Sequence, residues 1–290
     1  MLPPECYNSE EFFQFERERV FAASWICAGR VDQIPSPGDY LAVTIAGEPL
    51  LVVRDLEGTV RVMSAVCQHR GEVITCESGH AKSFRCPLHF WSYDLTGKLL
   101  GAPRMGNADV LCKLRDTVRL RDIRHEIWHG FVFVNIDGQA APLAPSLAKL
   151  EPYWAGYEAA DLVCVPPSPP DKALPWNWKL HVENFTDAYH PEFVHRGTHD
   201  FAPSVGVDGG VQFTPMAPDD NCIVRIVPME KADGGMMRDG WGAEAAFPVI
   251  TTLPPEQRKR IVFAIVAPLM TMMFAPTAIG YQILTPLSAQ

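Results

Sequence analysis

Two short segments of the chain each pair a thiol with an imidazole. Cys67-Gln68-His69-Arg70-Gly71 and Cys86-Pro87-Leu88-His89 both offer one cysteine and one histidine from a single tight loop. Gly71 and Pro87 are residue types that let a chain turn sharply. Two loops carrying the same donor pair can close on a binuclear iron–sulfur cluster in which histidines replace two of the cysteines on one iron, which raises the potential. The imidazoles also make that potential sensitive to proton loss. A structural zinc site is the competing reading, yet zinc modules usually chelate through wider Cys–Cys and His–His spacings. Cys-x-His is too short for that habit, and the order Cys, His, Cys, His does not suit a Cys2His2 finger. The blandest alternative, buried cysteines beside incidental histidines, requires the same coincidence twice.

A second group of donors follows: Glu183-Asn184-Phe185-Thr186-Asp187-Ala188-Tyr189-His190-Pro191 and then His195, preceded by Trp176-Asn177-Trp178-Lys179. Asp187 and His190 stand at i, i+3 and share one helical face. In a regular helix His190 and His195 would point about 140° apart, and Pro191 removes a helical hydrogen bond. The two imidazoles can converge only where the helix bulges or ends, a distortion common at functional sites. Such a pair suits a mononuclear non-haem Fe(II) centre, held by two histidines and one carboxylate with positions open for dioxygen. Asp187 is better placed to orient the His190 ring through its other nitrogen than to bind the metal. Taken alone, a helix end with solvated His and Asp explains these residues equally well; a redox cluster upstream favours the metal site.

The elements that must position these residues fall into two regions. Asn8 to Ala22 reads as a helix, with Asn8 and Glu11 as a capping box and Phe12, Phe13, Val20 and Phe21 as its apolar face. From Gly38 to Ile136 the period changes to two: Leu50–Arg54 and Val60–Ala65 flank the turn Asp55–Gly58, and Phe131–Asn135 is a further strand. This is a small all-β module. A short helix is expected around Leu147–Trp154, followed by the proline-rich linker Pro166–Pro170. The run Ile261 to Leu284 has no charged residue and is long enough to cross a membrane. Pro268, Pro276 and Gly280 divide it, however, into three expected strands, Ile261–Val266, Met270–Phe274 and Tyr281–Leu284.

With 290 residues the chain can form two domains. Its formal charge of −9 argues against nucleic acid and anionic membrane as partners. The N-terminus lacks the basic and apolar stretches of a signal peptide, so the expected location is cytoplasmic. There the eight cysteines favour metal ligands or free thiols over disulfides. Cys6, Cys27, Cys76, Cys112, Cys164 and Cys222 read as ordinary buried thiols.

Together the two motifs resemble the large (alpha) subunit of Rieske non-haem iron ring-hydroxylating oxygenases, and the resemblance runs from the N-terminal helix through nearly the whole chain. It implies an α+β protein with an all-β Rieske domain ahead of a helix-grip catalytic domain of antiparallel sheet and helices. The boundaries it suggests are 1–37 for an N-terminal helical segment packing on the catalytic domain, 38–140 for the Rieske domain and 141–290 for the catalytic domain. It implies that Cys67 and Cys86 hold the inner iron of a [2Fe–2S] cluster, that His69 and His89 hold the outer iron, and that His190 and His195 bind Fe(II). By the same resemblance Asp187 bridges His190 to a Rieske histidine of a neighbouring subunit, and Asn184 lies near the iron. The implied protein is a homotrimer that takes electrons from NAD(P)H through a separate flavin reductase or ferredoxin. With dioxygen it hydroxylates or oxidatively demethylates an organic, aromatic-type substrate. The other class of function is a Rieske electron carrier whose second domain is inactive.

The pattern breaks at one point. The family's third iron ligand is an aspartate on a late helix, and after Glu256 this chain contains no Asp or Glu. The expectation is a C-terminally truncated chain, with Asp200, Asp208, Asp239, Glu244 and Glu256 as weaker candidates for the missing carboxylate.

Overall fold

The computed structural model describes residues 2–159, 161–165, 173–187, 189–195, 212–213, 220–229, 233, 235–237, 240–242 and 247–289. The chain divides into two compact units, Gln14–Ala140 with Val163–Pro166, and Met1–Phe13 with Ala141–Leu162 and Pro167–Gln290. The architecture is α+β, built on antiparallel sheets. The linker Pro166–Pro170 lies outside the described residues. No described helix is long and apolar enough to cross a membrane.

The unit around Gln14–Ala140 contains three small sheets. Val60–Ser64, Glu48–Arg54, Asp39–Ile45 and Gly79–His80 form one, in that spatial order. Ile26–Arg30, Phe131–Asn135 and Arg124–Trp128 form the second, and Phe84–Arg85, Ser92–Tyr93 and Leu99–Gly101 the third. The hairpin predicted across Asp55–Gly58 is present, and the strand Phe131–Asn135 has the predicted bounds. Leu51, Val53, Met63, Leu95, Leu99 and Leu120 pack into one core, and Cys67, Cys86, Trp91 and Tyr93 belong to the same cluster. Both donor loops therefore rest on a dense apolar floor, which limits their freedom to shift.

The other unit centres on a five-stranded antiparallel sheet in the order Gln212–Phe213, Cys222–Pro228, Arg260–Val266, Met270–Ala275 and Ala278–Ile283. Arg260–Val266 and Met270–Ala275 are buried along most of their length on both faces, which accounts for a run without charge. The helix Trp178–Thr186 packs on this sheet through Phe185, whose ring meets Phe263 edge-on at 5.5 Å. Asn177 caps that helix by accepting from Lys179 N at 3.0 Å, and its amide donates to the carbonyls of Tyr7 and Ala289 at 3.0 and 2.6 Å. The ammonium of Lys179 sits 4.9–5.6 Å from the rings of Trp178, Phe12 and Tyr7, and Tyr7 donates its phenol proton to Glu183. The N-terminal residues thus fix the helix that carries Asn184 and leads into Asp187.

Three local expectations need correction. The N-terminal helix is broken: Glu5–Asn8 closes one turn, Glu10–Glu16 starts afresh, and Arg17–Phe21 widens into a π-helical turn. Ser9, extended at φ −86° and ψ 123°, takes the capping role from Asn8, and its hydroxyl accepts from Phe12 N at 3.2 Å. Gly280 lies within the last strand opposite Met273 rather than in a turn, because the register Ala275↔Ala278 leaves Pro276 and Thr277 to make the reversal. In place of one helix around Leu147–Trp154, Leu143–Ser146, Ala148–Leu150 and Glu151–Trp154 form three short turns.

Candidate metal centres

The two Cys–His loops share one hydrogen-bond scheme. In the first, Cys67 N donates to Glu72 O at 2.8 Å and Gly71 N to Cys67 O at 3.0 Å. In the second, Cys86 N donates to Trp91 O at 2.9 Å and Phe90 N to Cys86 O at 3.1 Å. The fourth residue after each cysteine is left-handed: Gly71 at φ +76° and Phe90 at φ +60°. Glycine takes this conformation freely, whereas phenylalanine does so at a steric cost. Pro87, expected to shape the second turn, precedes the strained position.

This scheme places the thiols inside and the imidazoles outside. Cys67 and Cys86 are buried, His69 is half-buried and His89 is exposed. The His69 and His89 rings are 4.6 Å apart at 79°, and His69 stacks on the buried Trp91 at 4.7 Å and 10°. Burial pushes the Cys67 thiol up, the Tyr93 phenol works against that, and the neighbouring Cys86 adds to it. The Tyr93 hydroxyl lies 3.3 Å from Cys67 Sγ and accepts from Gln68 N at 3.1 Å. Desolvation, then the nearby His89 and Arg70, lower the His69 pKa and hold the ring neutral, the form that binds metal.

The test of fit is His69 Nδ1, a buried nitrogen without a hydrogen-bond partner. Such an atom is costly unless something occupies its lone pair. Among the described residues no three His, Cys, Asp or Glu side chains gather about a single ion. The donors come as a thiol pair and an imidazole pair, which suits two irons held two by two better than one tetrahedral zinc. Of the remaining cysteines, Cys27 and Cys222 are buried and Cys6 and Cys164 half-buried, but Cys76 and Cys112 are exposed, against expectation.

In the other unit the helix ends rather than bulges. Asp187 leaves helical geometry at φ −64° and ψ 122°, and Pro191–Val194 begins a new turn with His195 at its end. The Asp187 carboxylate accepts from Tyr189 N at 2.7 Å and His190 N at 3.2 Å, and it lies 3.0 Å from His190 Nδ1. The Tyr189 amide first, then His190, hold this carboxyl below its ordinary pKa. An ionised acceptor on Nδ1 fixes the proton there and leaves Nε2 with the free lone pair. The His190 and His195 rings stand 5.2 Å apart at 73°. Asn184 is exposed on the last turn of the preceding helix. Asp187 does not join the two histidines in a three-donor set, nor does Glu256, which precedes the short turn Gln257–Lys259. Asp200, Asp208, Asp239 and Glu244 lie outside the described residues.

Sequence reasoning missed four residues here. Trp91 and Tyr93 could have been found from their period-two spacing after His89, which puts both on the face that meets the loops. Phe90 carries no glycine signal. Arg225 reaches Asp187 only through sheet register: its Nη1 donates to Asp187 O at 3.4 Å, and its guanidinium lies 4.3 Å over the ring of its cross-strand partner Phe263.

Comparison with known proteins matches residues 24–118 to the Rieske [2Fe-2S] domain and residues 153–290 to the ring hydroxylating alpha subunit catalytic domain. The chain is 32% identical to chlorobenzene dioxygenase subunit alpha of Cupriavidus sp. (strain PS12), over 74% of this chain and 48% of that protein. It is also 32% identical to the carnitine monooxygenase oxygenase subunit of Escherichia coli (strain K12), over 71% of this chain and 54% of that one. The chain thus spans about half the length of the curated relatives it matches. A solved quaternary ammonium Rieske monooxygenase shares the fold with a TM-score of 0.76 at 22% identity, covering 99% of this chain and 72% of the other. Naphthalene 1,2-dioxygenase from Rhodococcus sp. does so with a TM-score of 0.75 at 23% identity, over 99% of this chain and 70% of that one.

Proposed function

The chain belongs to the Rieske ring-hydroxylating oxygenase alpha-subunit family, and from that premise we propose that it is the oxygenase component of a system that oxidises an organic substrate with dioxygen. In this assignment Cys67, Cys86, His69 and His89 hold the [2Fe–2S] cluster, and His190 and His195 are two ligands of Fe(II). The observation that carries it is the Asp187–His190 hydrogen bond at 3.0 Å with the His195 ring 5.2 Å from that of His190, in a chain that also holds the two Cys–His loops. When bound, such a cluster would supply single electrons and such an iron the site for dioxygen activation.

The protein's own share is positional. Asp187 holds the His190 proton on Nδ1, so that Nε2 faces the metal. Trp91 clamps the His69 ring by stacking, and the apolar core keeps water from the two thiols. Asn184, one turn before Asp187, is assigned a place near the iron. A separate flavin reductase or ferredoxin delivers electrons from NAD(P)H, and a homotrimer in the cytoplasm is the working assembly. The relatives act on aromatic compounds in one case and on carnitine in the other, so hydroxylation and oxidative demethylation both fall within the proposal.

The test is dioxygen uptake by the reconstituted protein against a panel of aromatic and quaternary ammonium compounds, with iron and sulfide analysis alongside. Substrate-dependent uptake that disappears in His190→Ala, while the Rieske EPR signal remains, is the expected result. Cluster iron alone, with no uptake on any compound, would leave an electron carrier and overturn the proposal.

A further inference from the structure

Arg225 is a buried cation whose Nε has no hydrogen-bond partner. It lies among Phe185, Thr186, Ile223, Phe263, Ala264 and Ile265, with no room for a water molecule beside it. Burial lowers its pKa, and Asp187 is the charge that works in the opposite direction. An apolar residue of similar size would fill this place between the strands without desolvating a charge. Retaining the guanidinium therefore calls for an explanation in what it touches.

It touches the turn that carries His190. Nη1 donates to Asp187 O at 3.4 Å, so a cation meets the carbonyl end of the helix Trp178–Thr186, where helical dipoles favour positive charge. Phe263 supports the guanidinium at 4.3 Å and packs against Phe185 of the same helix at 5.5 Å. The Asp187 main chain is thereby held from below while its carboxylate is engaged by Tyr189 N, His190 N and His190 Nδ1.

We propose that Arg225 is a positioning residue of the His190 site: it fixes the Asp187 peptide and so the carboxylate that orients the His190 ring toward its metal. The proposal rests on the reading that His190 and His195 bind Fe(II). With Arg225 removed, the Asp187 turn loses the donor to its carbonyl, and the imidazole loses its fixed aim. Partners that orient metal-bound histidines in this way change metal affinity by about 10- to 100-fold when lost.

The experiment measures Fe(II) binding to cluster-loaded protein by competition with a chromogenic chelator, and near-infrared circular dichroism of the bound Fe(II) as a report on ligand geometry. Arg225→Met is expected to weaken Fe(II) about 10-fold and shift the near-infrared bands, with the Rieske EPR signal unchanged. Arg225→Lys is expected to recover most of the loss, because a cation still reaches the carbonyl; a packing role alone would give lysine no advantage over methionine. Should Arg225→Met fail to fold, Phe263→Leu, which removes only the ring under the guanidinium, is expected to move the same two readouts in the same direction. Wild-type affinity and bands in the folded variants overturn the proposal, as does a lysine variant no better than methionine. His190→Ala is the control: if it too binds Fe(II) like wild type, the assignment of the iron site falls, whereas loss in His190→Ala alone sinks only the role of Arg225.

Discussion

Replacing Tyr93 by phenylalanine removes one oxygen and leaves the packing of a fully buried ring intact. That oxygen lies 3.3 Å from Cys67 Sγ and accepts from Gln68 N at 3.1 Å, so its single proton is free to point at the sulfur. Burial first, then the bond to Cys67, push the phenol above its ordinary pKa, and it remains a donor throughout the working range. A hydrogen bond to a charged group contributes about 1.5–3 kcal/mol. Reduction adds one negative charge to the cluster proposed here, which strengthens the bond; if about half of it, ~1 kcal/mol, is gained on reduction, the midpoint potential changes by ~40 mV for one electron. Tyr93→Phe should therefore lower the potential by about that amount. A redox titration followed by the Rieske EPR signal measures it directly. An unchanged or raised potential, with the signal intact, would refute the argument that the phenol donates to a cluster sulfur.

The two loops offer a matched pair of backbone tests. A Cβ at Gly71 meets nothing within 4 Å, so Gly71→Ala carries only the cost of φ +76°, about 1 kcal/mol, whereas Phe90→Gly relieves φ +60° and should stabilise by about 0.5 kcal/mol after the entropy of glycine is counted. Thermal unfolding of the two variants should move in opposite directions. Asp187→Asn keeps an acceptor for Tyr189 N but removes the charge that fixes the His190 proton, and should weaken Fe(II) about 10-fold while sparing the cluster signal. Asp233 is held below its ordinary pKa by two 2.6 Å hydrogen bonds from Arg258. A depressed carboxyl stabilises above its unfolded pKa and loses that contribution as pH falls through the folded one. Asp233→Asn should accordingly lower Tm at neutral pH and match wild type in strong acid; a difference that persists in acid would contradict the assignment.

The parts read correctly from sequence are those where chemistry and chain order coincide. Cys67 with His69, and Cys86 with His89, sit within single loops, so residue spacing already describes the donor pairs. The strands of the uncharged run were separable because Pro268 and Pro276 interrupt an otherwise continuous apolar stretch. Gly280 misled because glycine marks a turn only where the backbone needs it, and the two-residue connection Pro276-Thr277 had already made the reversal. Ser9 displaced Asn8 for a similar reason: the preceding turn Glu5–Asn8 uses Asn8, leaving Ser9 extended and able to cap. Whether the helix before His190 bulged or ended could not be read from spacing, since Asp187 decides it by folding its carboxylate onto the amides of Tyr189 and His190. Arg225 was out of reach altogether. It lies far along the chain from Asp187, and only the pairing Arg225↔Phe263 carries it under the turn.

The two sites solve one problem in opposite ways. An imidazole has two nitrogens, and a metal site must specify which of them binds. At His190 the protein ties Nδ1 to an ionised carboxylate, so Nε2 is the donor and the proton on Nδ1 is held against loss. At His69 the protein offers Nδ1 nothing: the atom is buried and unpartnered, and the ring is clamped by stacking on Trp91 instead of by a hydrogen bond. In the proposed assignment Nδ1 is then the donor, and Nε2 belongs to a ring that retains exposure beside the exposed His89. Among the described residues of this chain no carboxylate is bonded to that ring, and the Asp187 that the resemblance sets beside a Rieske histidine would belong to a neighbouring subunit. Within one chain the two imidazoles thus differ by one hydrogen bond made, between Asp187 and His190, and one withheld, at His69 Nδ1.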